Sequence, residues 1–444
     1  MIDKTKAFSI FDQVLEASKA EQTEVILYSN QSALTRFANS EIHQNVEENN
    51  DTVVVRAALG KRLGVVSTND LTRAGLKRAA REAADVAKNS PENPDFVGLT
   101  PPRPHPEFEP YADDAAAFSV SRRATQVARM VGIVKRKNLT CAGFVSQTVG
   151  AIAFGNSLGV KNYCRSTEVG GQVLAYGPTS SGIAESTSIS RASLDFAALA
   201  REAVQKAVKS ADPIDLPPGD YPVVLDHYAV GDCMSYMGYV GFNAKSVQEQ
   251  RSFLNGQIGA QLFSPLVNIE DNAYSPDNAG LPFDFEGAPR QRVNLVENGV
   301  VKGLVYDSMT AAKDGCASTG HALPPPNTYG PMPLNLILKP GESERDALVA
   351  SVERGIFVTR FHYTNLVDPK KLIVTGMTRD GTFLIEGGKI RKGVKNFRFT
   401  QNLVEAFKAV SMVSNKLVCS GEWMKAATPA VKMDHFAFTS ATLF

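Results

Sequence analysis

The sequence predicts an α+β protein, with an N-terminal α/β region in which a helix-strands-helix unit occurs twice and a C-terminal domain that is mostly β. Helix and strand periodicities follow each other in the same order on both sides of a proline-rich connector, residues 91–111. Beyond residue 212, glycine, proline and hairpin signals become dense, which is typical of antiparallel sheet. The predicted units are therefore residues 1–90, 112–211 and 212–444.

The first unit is predicted to begin with a helix over residues 4–20, because Phe8, Phe11 and Val14 recur at a spacing that places them on one face. The pattern then changes to a period of two, and β-branched residues alternate between turn signals. Short strands are predicted around residues 23–28, 34–38, 52–58 and 63–67. A second helix is predicted over 71–87, with Asn69 or Asp70 as its N-cap.

The second unit follows the same plan. A helix is predicted over 112–135, strands between 141 and 189, and a helix over 194–208 capped by Ser193. The sequence FANS at 37–40 is matched by FGNS at 154–157, and REA at 81–83 is matched by REA at 201–203. Two such copies would pair into one long curved sheet with helices on a face. Chance similarity between amphipathic helices remains the alternative.

The C-terminal domain is predicted to consist largely of hairpins. Residues 294–306 read as strand, Glu-Asn-Gly turn and strand, and residues 383–390 repeat this pattern with Glu-Gly-Gly. Helices are predicted near 344–354 and 401–410.

Composition excludes several classes of protein. The 444 residues carry 47 Lys and Arg against 46 Asp and Glu, so no net field attracts the chain to nucleic acid or to a membrane surface. No apolar run reaches about 18 residues and the first residues have no signal-peptide pattern, which predicts a cytoplasmic protein that does not associate with membranes. The five cysteines form no CxxC pair, which argues against a disulfide framework or structural zinc.

The candidate site is the stretch from Asp226 to Asp232. Zinc hydrolysis requires closely spaced neutral ligands and a carboxylate that takes a proton from the bound water. His227 is followed by Tyr228, a poor base at neutral pH, and Asp232 stands where a second histidine would be. On a regular helix, residues five apart point about 140° away from each other. The stretch therefore indicates a metallopeptidase helix without its catalytic base.

The same region carries a family resemblance. After His227 and Gly231 come FNAK at 242–245 and GQIG at 256–259, and TRFANS at 35–40 with GKRLG at 60–64 precedes them. In this order the motifs resemble the TldD/PmbA family, which is described as metallopeptidases and, by an older name, as modulators of DNA gyrase. Active members carry His-Glu-x-x-x-His at this helix and bind zinc. That spacing implies a distorted helix, so the angle alone does not exclude a metal.

The resemblance implies a degenerate site. Tyr228 replaces the Glu and Asp232 replaces the second His, while Cys419 falls where a cysteine is thought to complete the metal site of active members. The chain is therefore similar to the metal-free PmbA-like or TldE-like branch, a pseudoenzyme with no catalytic residue and no zinc of its own. His321, which precedes the Pro324–Pro326 run, is a further candidate for the groove.

The function that this implies is a non-catalytic, peptide-binding subunit in proteolysis or peptide maturation. Its expected partners are a peptide or unfolded segment and a second subunit, either a copy of itself or a TldD-type paralogue that carries HExxxH. Two alternatives remain open. One is an active metal-dependent peptidase with an atypical site at His227, Asp232 and Cys419, and the other is a factor associated with DNA gyrase. The nearly balanced charge argues against nucleic-acid binding.

Overall fold

The N-terminal part of the chain forms one six-stranded antiparallel sheet in a computed structural model that describes residues 1–421 and 424–442. The strands follow the order β3-β2-β1-β4-β5-β6, so the two units meet where β1 pairs with β4. The C-terminal part is rich in strands, and the prediction of an α+β protein is confirmed.

The first unit contains two helices and three strands. They are α1 (Lys4–Ala17), β1 (Gln22–Ala38), β2 (Glu41–Leu59), β3 (Arg62–Thr68) and α2 (Arg73–Asn89). Two short strands were expected where the structure has β1, a single strand of 17 residues. Its polar middle stays extended because it pairs on both sides, Gln31 with Asn49 of β2 and with Val149 of β4.

The predicted N-cap of α2 is wrong by two residues. Thr72 caps the helix, because its side chain accepts a hydrogen bond from the backbone N–H of Gly75 at 3.1 Å. Asp70 instead accepts from the backbone N–H and the hydroxyl of Thr72 in the preceding turn. The aspartate thus orients the cap residue and does not cap the helix itself.

The second unit contains α3 (Asp113–Ala116), α4 (Val120–Lys135), β4 (Thr140–Asn156), β5 (Lys161–Tyr176), β6 (Ser181–Ser188) and α5 (Phe196–Lys209). The single helix expected over 112–135 is divided, since α4 restarts with Ser119 as its N-cap. Asp195, and not Ser193, caps α5 by accepting from two backbone N–H groups of the first turn. Ser193 ends a short 3-10 turn just before it.

Equivalent contacts connect helix and edge strand in the two units. A β-carbon on Gly64 of β3 would lie 2.2 Å from the carbonyl oxygen of Ala83 in α2, and one on Gly182 of β6 would lie 2.3 Å from that of Ala203 in α5. Both alanines belong to the repeated REA sequence. Glycine therefore allows the same close approach of helix to strand in each unit, which agrees with an internal repeat.

The second face of this sheet packs against a C-terminal loop, residues 281–290. Ile26, Phe154 and Cys164 contact Phe283 of the loop in a small hydrophobic cluster. Beside it the interface buries several charged groups, among them Glu24 with Arg56 from the sheet and Glu286 from the loop. The helices α1, α2, α4 and α5 cover the opposite face.

The C-terminal part begins with β7 (Gly219–Leu225), α6 (His227–Val240), α7 (Ala244–Gln248), β8 (Ile269–Asp271), β9 (Val293–Glu297), β10 (Val300–Val301), α8 (Ser308–Lys313) and β11 (Leu336–Leu338). It continues with α9 (Arg345–Ala350), β12 (Arg354–Asp368), β13 (Ile373–Glu386), β14 (Lys389–Gly393), β15 (Phe397–Asn402), α10 (Leu403–Lys408), β16 (Val410–Val413), β17 (Val418–Ser420), β18 (Ala426–Thr428) and β19 (Val431–Ala441). Both predicted hairpins are confirmed, as β9–β10 and β13–β14.

These strands form two sheets. One has the order β12-β7-β19-β15-β13-β14, and an additional pairing of β12 with β13 closes its path. The other has the order β10-β9-β8-β11-β18-β17. Helix α6 is buried between them through Ala229, Cys233 and Met237. Among the helices of the described residues, none is long and apolar enough to cross a membrane.

Candidate functional site

A cavity of about 1030 Å³ lies between the N-terminal sheet and the C-terminal part. Two edge strands line it. They are β6 of the N-terminal sheet and β17 of the C-terminal sheet that has the order β10-β9-β8-β11-β18-β17. The start of α6 contributes Asp226, His227 and Tyr228, and β17 contributes Cys419. We refer to this cavity as the groove.

Asp226 is the fully buried N-cap of α6, and its carboxylate lies close to several basic side chains. Its carboxylate accepts from the backbone N–H of His227 at 3.1 Å, and it lies 3.3 Å from Lys206 Nζ and 3.6 Å from an Arg345 guanidinium nitrogen. Burial alone would raise the pKa of Asp226, but the charges of His227, Lys206 and Arg345 lower it well below the ordinary range. Sequence reasoning placed Asp226 at the start of the candidate stretch but gave it no role, although an Asp before a helix signals an N-cap.

His227 is nearly buried, with 8% of its surface exposed. Its Nδ1 lies 3.0 Å from the Asp226 carboxylate, and its carbonyl oxygen accepts a hydrogen bond from Thr428 at 2.8 Å. Among the described residues, Nε2 has no hydrogen-bond partner. The ring is thus held by one nitrogen, while the other is buried without a partner among the described residues.

Tyr228 connects α6 to the edge of β6. Its hydroxyl accepts from the backbone N–H of Glu185 at 2.9 Å and donates to the carbonyl oxygen of the same residue at 3.1 Å. Burial raises the pKa of this phenol well above its ordinary value, so it stays protonated at neutral pH. Lys206 donates to the carbonyl oxygen of Ile183, two residues earlier on the strand. Side chains therefore occupy the backbone groups of β6 at two positions.

The other predicted site residues lie in different surroundings. Asp232 accepts a hydrogen bond from Thr364 of β12 and is not part of the groove lining. His321 is fully buried outside that lining, where its Nε2 lies 2.9 Å from Asp271. Cys419 does line the groove, and burial raises the pKa of its thiol. The structure thus brings together three of the five predicted residues, His227, Tyr228 and Cys419.

These residues do not fit a zinc centre. The Cys419 thiol already donates to the side-chain oxygen of Asn278, at 3.7 Å. The carboxylate of Asp232 accepts from Thr364 of β12, and Asp232 does not line the groove with His227. Within residues 1–421 and 424–442, no three His, Cys, Asp or Glu side chains are grouped so that they could hold a metal ion. His227 Nε2 alone remains as a donor, which is too few for a structural or catalytic zinc.

Replacing Tyr228 with Phe is expected to lower the free energy of unfolding by about 1–2 kcal/mol, because it removes two hydrogen bonds and leaves the backbone groups of Glu185 to the solvent of the groove. Chemical denaturation measures the loss. Tyr163→Phe is the matched control, since it removes a single bond to the carbonyl of Ile2 and should cost less than about 1 kcal/mol. Equal stability of Y228F and the natural chain would contradict the anchoring role.

Comparison with known proteins places this geometry in a family. Residues 218–440 match the model of the PmbA/TldA metallopeptidase C-terminal domain, and residues 23–87 match that of domain 1. The first match alone spans half of the chain. The groove residues Asp226 to Tyr228 and Cys419 all fall inside it.

Individual relatives agree with these matches. A metalloprotease TldD homologue of Haemophilus influenzae is 30% identical over 259 residues, 53% of this chain and 51% of the relative. The chain spans about half the length of this and the next TldD homologues. A metalloprotease PmbA homologue of the same organism is 25% identical over 90% of this chain and 89% of its own.

The fold agrees as well. The crystal structure of TldE from Thermococcus kodakarensis superposes with a TM-score of 0.88, at 19% identity over 97% of this chain and 99% of its own. The two family-model matches and this shared fold lead to one assignment. The chain belongs to the PmbA/TldD family of metallopeptidase-related proteins.

Proposed function

We propose that this chain is a non-catalytic, peptide-binding member of its family that takes part in proteolysis or peptide maturation. The observation that carries the proposal is the position of Tyr228. At the place of the family's catalytic Glu stands a protonated phenol whose hydroxyl is fully used by the backbone of Glu185. A group in this state does not take a proton from water.

The groove itself is suited to an extended chain. Two edge strands face it, and an edge strand can bind a peptide through backbone hydrogen bonds that are largely independent of sequence. Along β6, Tyr228 and Lys206 already occupy the groups of Glu185 and Ile183. We therefore expect backbone pairing mainly along β17 and near Thr187, where β6 ends.

The partner and the compartment are part of the proposal. By its family, we expect the chain to act with a second subunit, either a copy of itself or a TldD-type paralogue that carries HExxxH and performs the cleavage. The chain's nearly balanced charge and the absence of a long apolar helix among the described residues are compatible with work in the cytoplasm.

The test combines binding and cleavage. Protein prepared without added zinc should bind a fluorescently labelled unstructured peptide and leave it intact for hours, with and without a chelator. The double variant Tyr228→Glu/Asp232→His should also show no chelator-sensitive cleavage, because position 232 lies outside the groove lining that contains His227 and Cys419, and no further groups among the described residues are arranged to orient the ligands.

Two results would contradict the proposal. Chelator-sensitive cleavage by the natural chain, together with about one equivalent of bound metal, would establish the rival reading of an active peptidase. Failure to bind any unstructured peptide would remove the binding function. The gyrase-associated reading is tested separately, since it requires DNA binding that weakens steeply with salt.

A further inference from the structure

The groove is strongly acidic although the whole chain is nearly neutral. Eight carboxylates line it against three cations, Arg345, Lys416 and Lys425. The chain as a whole has a formal net charge of +1. The imbalance is thus a property of this surface and does not follow from composition.

Part of the negative charge is neutralised locally. Glu168 pairs with Lys425, and Glu202 lies 2.6 Å from Lys206, which also neutralises Asp226. Arg345 lies close to Asp226 as well. Most of the cationic side chains in and around the groove are therefore already paired with a carboxylate.

Other carboxylates in the lining have neutral partners. Glu185 accepts from the Gln172 side-chain amide at 2.7 Å, Glu344 from the Asn415 amide at 2.8 Å, and Asp277 has the Ser275 hydroxyl at 3.4 Å. A hydrogen bond from an amide or a hydroxyl leaves the charge of a carboxylate in place. The side chain of Asp346 is 97% exposed and lies 4.0 Å from Arg345, so water screens this pair.

We infer that the groove selects peptide segments rich in Lys and Arg. This inference rests on the proposed peptide-binding function and adds the chemical class of the ligand. Cationic side chains of an extended segment would approach Glu185 on the β6 side and Asp277, Glu344 and Asp346 around the rim. Clustered charges of one sign at a cleft concentrate ligands of the opposite sign, and the effect decreases as salt screens it.

The experiment compares three labelled unstructured peptides of equal length that differ only in carrying Lys, Gln or Glu at alternate positions. Fluorescence anisotropy at about 20 mM salt should give at least about tenfold tighter binding of the Lys peptide than of the Gln peptide, and the weakest binding for the Glu peptide. At about 0.5 M salt the ratio between Lys and Gln peptides should fall below about threefold, since the screening length is then only a few ångströms.

Matched variants locate the effect. The triple variant Asp277→Asn/Glu344→Gln/Asp346→Asn changes exposed groove residues and should remove most of the preference for Lys. The control Glu41→Gln/Glu48→Gln/Glu82→Gln makes the same change in net charge at exposed positions outside the groove lining and should keep the preference. Loss of the preference in both variants would overturn the inference.

The outcomes separate the two proposals. Equal binding of the Lys and Gln peptides by the natural chain overturns the charge inference and leaves peptide binding intact. Binding of none of the three peptides overturns the proposed function, and the inference with it. Tighter binding of the Glu peptide than of the Lys peptide also overturns the inference.

Discussion

Replacing Asp226 with Asn is expected to lower the free energy of unfolding by about 3 kcal/mol at pH 7, since removing one member of a buried charge group leaves the others without compensation. The lower end of the usual range applies because Lys206 keeps Glu202 at 2.6 Å as a second partner. Asn still caps helices well, so the loss reports charge and not capping. Denaturant unfolding at several pH values measures it.

The stability lost in D226N is expected to depend on pH, in a direction set by the pKa of Asp226. The pKa of Asp226 is lower in the folded than in the unfolded chain, so its stabilisation is complete above about pH 4 and declines as the carboxylate is protonated at lower pH. The difference between the natural chain and D226N should therefore shrink below about pH 4. A difference that stays constant down to pH 2, or that is under about 1 kcal/mol at pH 7, would contradict it.

Asp195→Asn is the matched control for this experiment. Asp195 also caps a helix, α5, and also pairs with an arginine, Arg201 at 3.2 Å, but more than half of its side chain is exposed. An exposed pair contributes little because water screens it, so the expected change is below about 0.5 kcal/mol. Comparison of the two variants isolates the effect of burial.

Replacing Glu286 with Gln is expected to raise the free energy of unfolding by about 1–2 kcal/mol at pH 8 and to change it little at pH 4, because the ionised carboxylate is costly where it is buried. It lies with Glu24 and Asp284 at the interface between the N-terminal sheet and the loop 281–290. Burial raises the pKa of Glu24 to about 7 and that of Asp284 to about 6, and burial with repulsion from Asp284 raises the pKa of Glu286 to about 7. Arg56 compensates only part of this charge.

The contribution of Glu286 to stability changes with pH in the direction opposite to that of Asp226. A carboxyl group whose pKa is raised on folding stabilises the folded chain fully below its unfolded pKa, about 4.5, and this contribution is lost as the pH rises through about 7. Gln can preserve both contacts of Glu286 with Ser308, since its oxygen can accept from the backbone N–H and its amide can donate to the hydroxyl. Denaturation at pH 4, 6 and 8 checks the prediction.

The exposed Glu297 supplies the control for this second experiment. Glu297→Gln should alter stability by less than about 0.5 kcal/mol at each pH, as expected for an exposed residue 3.8 Å from Lys302. A loss of stability in E286Q at pH 8, or an equal gain at pH 4 and pH 8, would show that the ionised form of Glu286 is not the source of the cost.

Local patterns predicted much of the fold. The two glycine-containing hairpins of the C-terminal part occur at the predicted positions, because their turns need residues that adopt positive φ, as Asn298, Gly387 and Gly388 do. The predicted helices near 344–354 and 401–410 exist but are shorter, Arg345–Ala350 and Leu403–Lys408. Helix ends depend on which side chain reaches the first N–H groups, and neighbouring polar residues compete for that role.

The sequence by itself determined the class of fold, the repeat of the REA sequence in the two units, and the replacement of Glu and His by Tyr228 and Asp232. Only the tertiary structure decided what the replacements do. Tyr228 forms a hydrogen bond with Glu185, which lies 43 residues earlier in the chain. Asp226 lies close to Lys206 of α5 and Arg345 of α9. Such contacts depend on how separate elements pack, and the partners lie too far apart in the chain for any periodicity to record them.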